Sequence, residues 1–210
     1  MAILSNDNRW IFISQGRCAS RSIHDYFSGL GLDWWERAQG QLWWDQYHQH
    51  TPASKVRDSI GHEQYDSMLS FAVVRNPFEW VISSIRWHLR VKRIGIVEIR
   101  RMIEYYQTDE GRRYDTKSAI RTQRSFLSDD TWTVRVSRLL RHETLGLDFA
   151  RVQEELGLPV VVLKRQGRIG GLETPWQREY RSQYMIDLVA ETWADDIAWL
   201  GYERPEVYVK

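Results

Sequence analysis

The sequence predicts an α/β fold in which a parallel sheet is flanked by helices, with residues 1–210 forming a single domain. Three observations carry this. An apolar, β-prone run, Ile11-Phe12-Ile13, ends in a turn of small and polar residues, and a helical pattern follows it. A second run, Leu69–Val74, reads as a buried strand and passes directly into Arg75-Asn76-Pro77 and another helix. A third, residues 159–163, is β-branched in the way that suits a strand covered on both faces. Strands alternating with helices imply parallel pairing through right-handed crossovers. Ligands of such sheets sit at the carboxyl ends of the strands.

The first strand leads into Ser14-Gln15-Gly16-Arg17-Cys18-Ala19-Ser20-Arg21-Ser22. Ile23, Tyr26, Phe27 and Leu30 then recur at helical spacing, with Gly31 placed as a stop. A strand, a short turn and a helix N-terminus build an anion cradle, because first-turn N–H groups lack intrahelical partners and the helix dipole favours negative charge. Arg17 adds a fixed positive charge, and Ser20 and Ser22 add hydroxyl donors. The ligand expected is a phosphate or sulfate ester.

The second strand decides between ligand types. In a nucleotide triphosphatase of the P-loop kind, the corresponding strand ends in an acid that helps to hold magnesium. Here it ends in Arg75, which cannot ligate a metal but can grip a phosphate with two parallel hydrogen bonds. Pro77 opens a helix on which Ile82, Ile85 and Leu89 share a face, and Ser83 lies two turns beyond Arg75. A kinase is disfavoured by that arginine and by the missing Gly-Lys-Ser/Thr.

Together these segments resemble the sulfotransferases that use 3′-phosphoadenosine 5′-phosphosulfate, in particular the carbohydrate-type (family 2-like) branch. Arg17-Cys18-Ala19-Ser20-Arg21-Ser22 is similar to that family's 5′-phosphosulfate loop, Lys/Arg-x-Gly-x-Thr/Ser-Ser. Val74-Arg75-Asn76-Pro77 with Ser83 is similar to its 3′-phosphate motif. The likeness continues through Leu140-Arg141-His142-Glu143-Thr144-Leu145 with Asp148-Phe149, and ends in Trp193-Ala194-Asp195-Asp196-Ile197 and Gly201-Tyr202. It implies a P-loop-like parallel sheet and sulfuryl transfer from that donor to an acceptor hydroxyl, carbohydrate-like in class, with no metal required. It also implies that Arg17, Cys18, Ala19, Ser20, Arg21, Ser22, Arg75 and Ser83 hold the nucleotide. Two residues differ from those that many members carry. Arg17 stands where many members have lysine, and Ala19 where they have glycine, so the loop backbone is more restricted. A catalytically weak or inactive nucleotide-binding protein of the same fold is therefore the alternative.

Transfer to a hydroxyl needs a base, and histidine suits that near neutral pH. His48 and His50 stand between the loop and the Arg75 strand, where similar enzymes carry a catalytic His or Glu. His50 is preferred because it adjoins a helix expected over residues 51–60, with Thr51 as N-cap and Pro52 in the first turn. His48 is the reserve, and Glu36, Asp45 and Glu63 are weaker candidates. No third ligand at a familiar spacing follows the His-x-His to suggest a metal.

Lys plus Arg (29) nearly balance Asp plus Glu (28), so no general attraction to nucleic acid or anionic membrane follows, and a bound anion must be held by local clusters. The lone Cys18 excludes an internal disulfide and suits a reducing cytoplasm. No apolar run approaches the roughly 20 residues that cross a bilayer, and no signal-peptide core opens the sequence. A soluble, cytoplasmic protein of bacterial or viral type is expected. Among the 11 tryptophans, Trp193 and Trp199 are assigned to the core. Of the pairs Trp34-Trp35 and Trp43-Trp44, at least one ring each should be partly exposed, since neighbours diverge by about 100° on a helix and face opposite sides of a strand. Such rings suit a sugar face or another apolar acceptor.

Further elements are expected as a strand over residues 134–140 and helices over 96–106, 148–156 and 183–200. The basic, glycine-containing segment 164–171, with Arg168, follows the third strand and is placed to close over the nucleotide. Arg121 and Gln123 fall in a segment expected near the nucleotide or acceptor. Glu143 is read as structural, fixing the Arg141 region by a charged hydrogen bond.

Overall fold

The computed structural model describes residues 2–5, 7–30, 50–112, 118–163 and 175–209. In chain order the elements are β1 (Ile3–Leu4), β2 (Trp10–Phe12), α1 (Ser20–Gly29), α2 (Ala53–Ile60), α3 (His62–Asp66) and β3 (Leu69–Val74). There follow α4 (Pro77–Leu89), α5 (Ile96–Gln107), α6 (Asp109–Arg112), α7 (Gln123–Leu127) and β4 (Arg138–Arg141). The last helices are α8 (Leu145–Glu155), α9 (Gln183–Thr192) and α10 (Ala194–Leu200). The chain divides into two compact units, residues 1–74 with 125–166 and residues 75–124 with 167–210.

The first unit is a mixed α/β layer. Its four-stranded sheet runs β1-β2-β3-β4, with β2, β3 and β4 parallel and β1 antiparallel to β2. The register pairs Trp10 with Leu69 and Phe12 with Phe71. Because side chains alternate along a strand, these rings share one face. On it, Phe27 of α1 stacks on Trp10 at 4.3 Å, and Phe149 of α8 lies 6.4 Å from Phe71. Tyr26 closes the cluster edge-on to Phe149 at 5.2 Å. Each fully buried ring of this kind contributes roughly 1.5–3 kcal/mol, so the cluster is what holds α1 and its leading loop on the sheet. Before β4, Ser70 and Ser137 satisfy each other's backbone: each N–H donates to the other's hydroxyl at 3.0 Å.

The second unit is helical. Proline opens α4, and the Asn76 side chain caps it by accepting from Phe78 N–H. Trp80 stacks on Tyr106 at 4.9 Å, and Trp193 meets Trp80 edge-on at 6.0 Å. The buried Tyr180 hydroxyl donates to the Phe78 carbonyl, and Arg86 pairs with Glu179 at 2.7 Å.

Several expectations need correction. Residues 159–163 form no strand, and Val162 is 92% exposed. A β-branched run alone does not make a strand without a partner. The helix expected over 183–200 breaks at Trp193, whose indole Nε1 turns to donate to the Arg121 carbonyl. Thr51 is not a cap: α2 starts at Ala53 with Pro52 before it and no side-chain cap bond. Trp199 is half-buried, whereas Trp193 is core as expected. Asp148 receives the Arg141 N–H at 2.9 Å, and it also accepts from the Thr144 hydroxyl. No helix among the described residues is long and apolar enough to cross a membrane.

Asp196 is held at both carboxylate oxygens inside the second unit. It is fully buried, and its two oxygens accept from Gln123 N–H (2.7 Å) and Arg124 N–H (2.8 Å). Burial pushes its carboxyl up to about 7, against the two backbone bonds, which pull it down. An unfolded Asp titrates near about 3.9. The folded pKa is therefore the higher one, and this group's contribution to stability is complete below about pH 4 and lost as pH rises through about 7. Asp196→Asn should remove that slope from the pH dependence of unfolding. It should also cost about 1–3 kcal/mol, because an amide nitrogen would face a backbone N–H. Denaturant titrations of both proteins at pH 4.5, 6 and 8 check this, and parallel curves would exclude it.

Candidate functional site

The first unit carries a loop–helix junction with unusual backbone geometry. After β2, Ile13 N–H still donates to the Phe71 carbonyl at 2.8 Å, so strand pairing persists to the edge of the loop. Gln15 is buried, and its side-chain Nε2 donates to the Val73 carbonyl at 3.3 Å. The loop is thus tied to the carboxyl end of β3. Two non-glycine residues then adopt left-handed conformations: Arg17 at φ 65° and Ala19 at φ 55°. Such residues cost roughly 1–2 kcal/mol each, and the Cys18 N–H between them donates to the Gln15 carbonyl at 3.4 Å. The Ser20 hydroxyl donates to the Gln15 carbonyl at 2.6 Å and closes the turn.

At the start of α1 no side chain caps the helix and the first turn holds no acidic residue. From Ser14 to His24 the sequence contains no carboxylate, while Arg17 and Arg21 bring two positive charges. The helix dipole and the two guanidinium groups both favour a bound anion at this point.

His50 stands beside this loop. Its Nδ1 lies 3.0 Å from the Ser14 carbonyl oxygen, and since a carbonyl only accepts, Nδ1 carries the proton and donates. In the neutral ring the lone pair is then on Nε2, which makes that atom the basic one.

The second unit carries Arg75, just before α4, and Glu79 and Ser83, which lie four residues apart on one stripe of that helix. The Arg75 guanidinium reaches one turn along it, and Nη2 donates to Glu79 Oε1 at 2.6 Å. Ser83 is half-buried one turn further on. The backbone of Arg75 is held on both sides by Gln123: Arg75 N–H donates to Oε1 at 2.9 Å and Nε2 donates to the Arg75 carbonyl at 2.7 Å.

The loop residues divide in a way that the sequence did not predict. Arg17, Ala19 and Ser20 are half-buried and Arg21 is exposed, whereas Cys18 and Ser22 are buried. The thiol therefore offers no surface contact, and the Ser20 proton is spent inside the loop. Gln123 is 0% exposed and acts on Arg75 rather than on a ligand. Glu63 is exposed on the short helix α3. His48, Arg168, Glu36, Asp45, Gly31 and the paired tryptophans lie outside the described residues. Sequence reasoning missed Glu79, though its four-residue spacing from Arg75 is a readable signal. It also missed the Gln15 tie and the role of Asp196, for which no local pattern exists. Among the described residues no group of three or more His, Cys, Asp or Glu could hold a metal ion. No protein-family model, curated protein or solved structure matches the chain.

Ala19→Gly tests the loop geometry. Glycine reaches the left-handed region without the Cβ penalty, so the variant should gain about 0.5–1 kcal/mol in denaturant unfolding. A loss of stability would show that Ala19 does not hold the left-handed conformation in solution.

Proposed function

We propose that the protein is a sulfotransferase that moves a sulfuryl group from 3′-phosphoadenosine 5′-phosphosulfate to a hydroxyl of a small-molecule or glycan acceptor. The observation that supports this reading is the pairing, at one strand end, of a carboxylate-free loop carrying two arginines with a histidine whose proton sits on Nδ1. The ordered motifs of the sequence support the same donor. In this reading Arg17 neutralises charge that develops on the oxygen between the phosphate and the departing sulfuryl group. The loop N–H groups and Arg21 hold the 5′ end of the nucleotide. Arg75 and Ser83 take the 3′-phosphate, with Glu79 orienting the guanidinium until the phosphate arrives.

The reaction is an in-line displacement. The acceptor oxygen forms a bond to sulfur as the bond from sulfur to the 5′-phosphate oxygen breaks. The acceptor proton passes to His50 Nε2, and 3′-phosphoadenosine 5′-phosphate leaves with the bonding electron pair. Positioning and charge stabilisation do most of the work, as in phosphoryl transfer. A carbohydrate-like acceptor follows from the family resemblance alone. The left-handed, non-glycine loop favours a second reading, a nucleotide binder of the same architecture with little or no transfer.

Two measurements test this reading. Arg75→Ala should weaken binding of 3′-phosphoadenosine 5′-phosphate by about 2–4 kcal/mol, the range for breaking a buried charged pair. It should affect adenosine 5′-phosphate far less, and equal losses in calorimetry would remove Arg75 from the 3′-phosphate site. His50→Ala should leave nucleotide affinity nearly intact and slow transfer of labelled sulfate to a panel of soluble glycans by about a hundredfold or more. Donor binding by the wild type without transfer to any acceptor would favour the binder, and an undiminished rate in the variant would place the base elsewhere.

A further inference from the structure

We infer that Gln123 is a positioning residue for Arg75, held in place by Asp196, and that this buried relay sets the selectivity for a 3′-phosphate. The inference rests on the reading of Arg75 as the 3′-phosphate residue.

The reason begins with the backbone. Arg75 stands between β3, which ends at Val74, and α4, which begins at Pro77. Its N–H and C=O belong to neither ladder, and such groups need partners when buried. Gln123 supplies both from one side chain, at 2.9 and 2.7 Å. One amide thus answers both the donor and the acceptor of the Arg75 main chain.

A carboxamide can fix a backbone only if its own main chain is fixed. The segment from Arg121 to Arg124 is pinned at four backbone atoms. Arg121 N–H donates to the Tyr106 carbonyl at 3.1 Å, and the Arg121 carbonyl accepts from Trp193 Nε1 at 3.0 Å. The N–H groups of Gln123 and Arg124 end on the two oxygens of Asp196. Gln123 and Asp196 are both 0% exposed, so neither touches a ligand directly. Their effect on binding passes through the direction in which Arg75 leaves the backbone.

That direction matters because arginine reads a phosphate bidentately, and a planar fork loses one of its two bonds on a small rotation. Arg75 is anchored at the backbone by Gln123 and at the guanidinium by Glu79. With both anchors it is held before a ligand arrives, and preorganisation lowers the ordering that binding would otherwise require.

The test compares 3′-phosphoadenosine 5′-phosphate with adenosine 5′-phosphate by calorimetry, in wild type, Gln123→Met and Gln123→Glu. Methionine keeps the volume and removes both bonds. Glutamate keeps acceptance from Arg75 N–H and loses donation to the carbonyl. The preference for the 3′-phosphorylated nucleotide should fall tenfold or more in Gln123→Met and less in Gln123→Glu, with affinity for adenosine 5′-phosphate nearly unchanged. In an Arg75→Ala background the Gln123→Met change should have no further effect on the preference. Equal weakening for both nucleotides, or an unchanged preference, would overturn the relay and leave the Arg75 reading standing. A wild type without any preference would remove that reading and the relay with it. If Gln123→Met does not fold, as judged by circular dichroism, the decision rests on Gln123→Glu, where an unchanged preference counts against the relay.

Discussion

The loop before α1 depends on the parallel pairing of β2 with β3. That register sets Phe12 against Phe71 and lets Ile13 continue the ladder, so that the chain leaves β2 with its direction fixed. Gln15 then repeats the tie to β3 with a side chain where the backbone ladder ends. Left-handed residues at positions 17 and 19 are tolerable because the surroundings over-determine them. Gln15 and the Ser20 hydroxyl fix the turn on one side, and the buried face of α1 fixes it on the other. The aromatic cluster of Trp10, Phe27, Phe71 and Phe149 keeps that face on the sheet.

The two helix starts illustrate opposite uses of one electrostatic rule. At α1 the first turn carries no acid and no side-chain cap, so its dipole is left for something outside the helix. At α4 the Asn76 side chain caps the turn and Glu79 occupies the third helical position, so the dipole is already answered within the chain. An anion near α4 must therefore be won by guanidinium chemistry, and the bond from Arg75 to Glu79 shows how such a group is kept ordered in the meantime.

The elements legible in the sequence were those with a local signature. Leu69–Val74 is apolar but for Ser70 and is a strand over that span. The Asn-Pro pair marks the start of α4, and the spacing of Ile23, Tyr26 and Phe27 marks the inner face of α1. Features that depend on distant partners were not legible. β1 is two residues long and exists because it pairs with β2, whereas the valines at 160–162 have every local mark of a strand and form none. At the site, the basic residues of the loop could be named in advance, but the inward turn of Cys18 and Ser22 could not. Nor could Asp196, which is 73 residues from the backbone it holds.

Cys18 is the chain's one thiol, and it lies at 0% exposure in the middle of the loop. Solvent oxidants and alkylating reagents reach a buried sulfur only when its surroundings open, and such openings differ in free energy from place to place in a protein. The thiol is therefore a natural clock for this one segment. Its modification rate reports how often the turn between β2 and α1 comes apart, without any label having been introduced. A ligand that steadies this turn must also slow that clock.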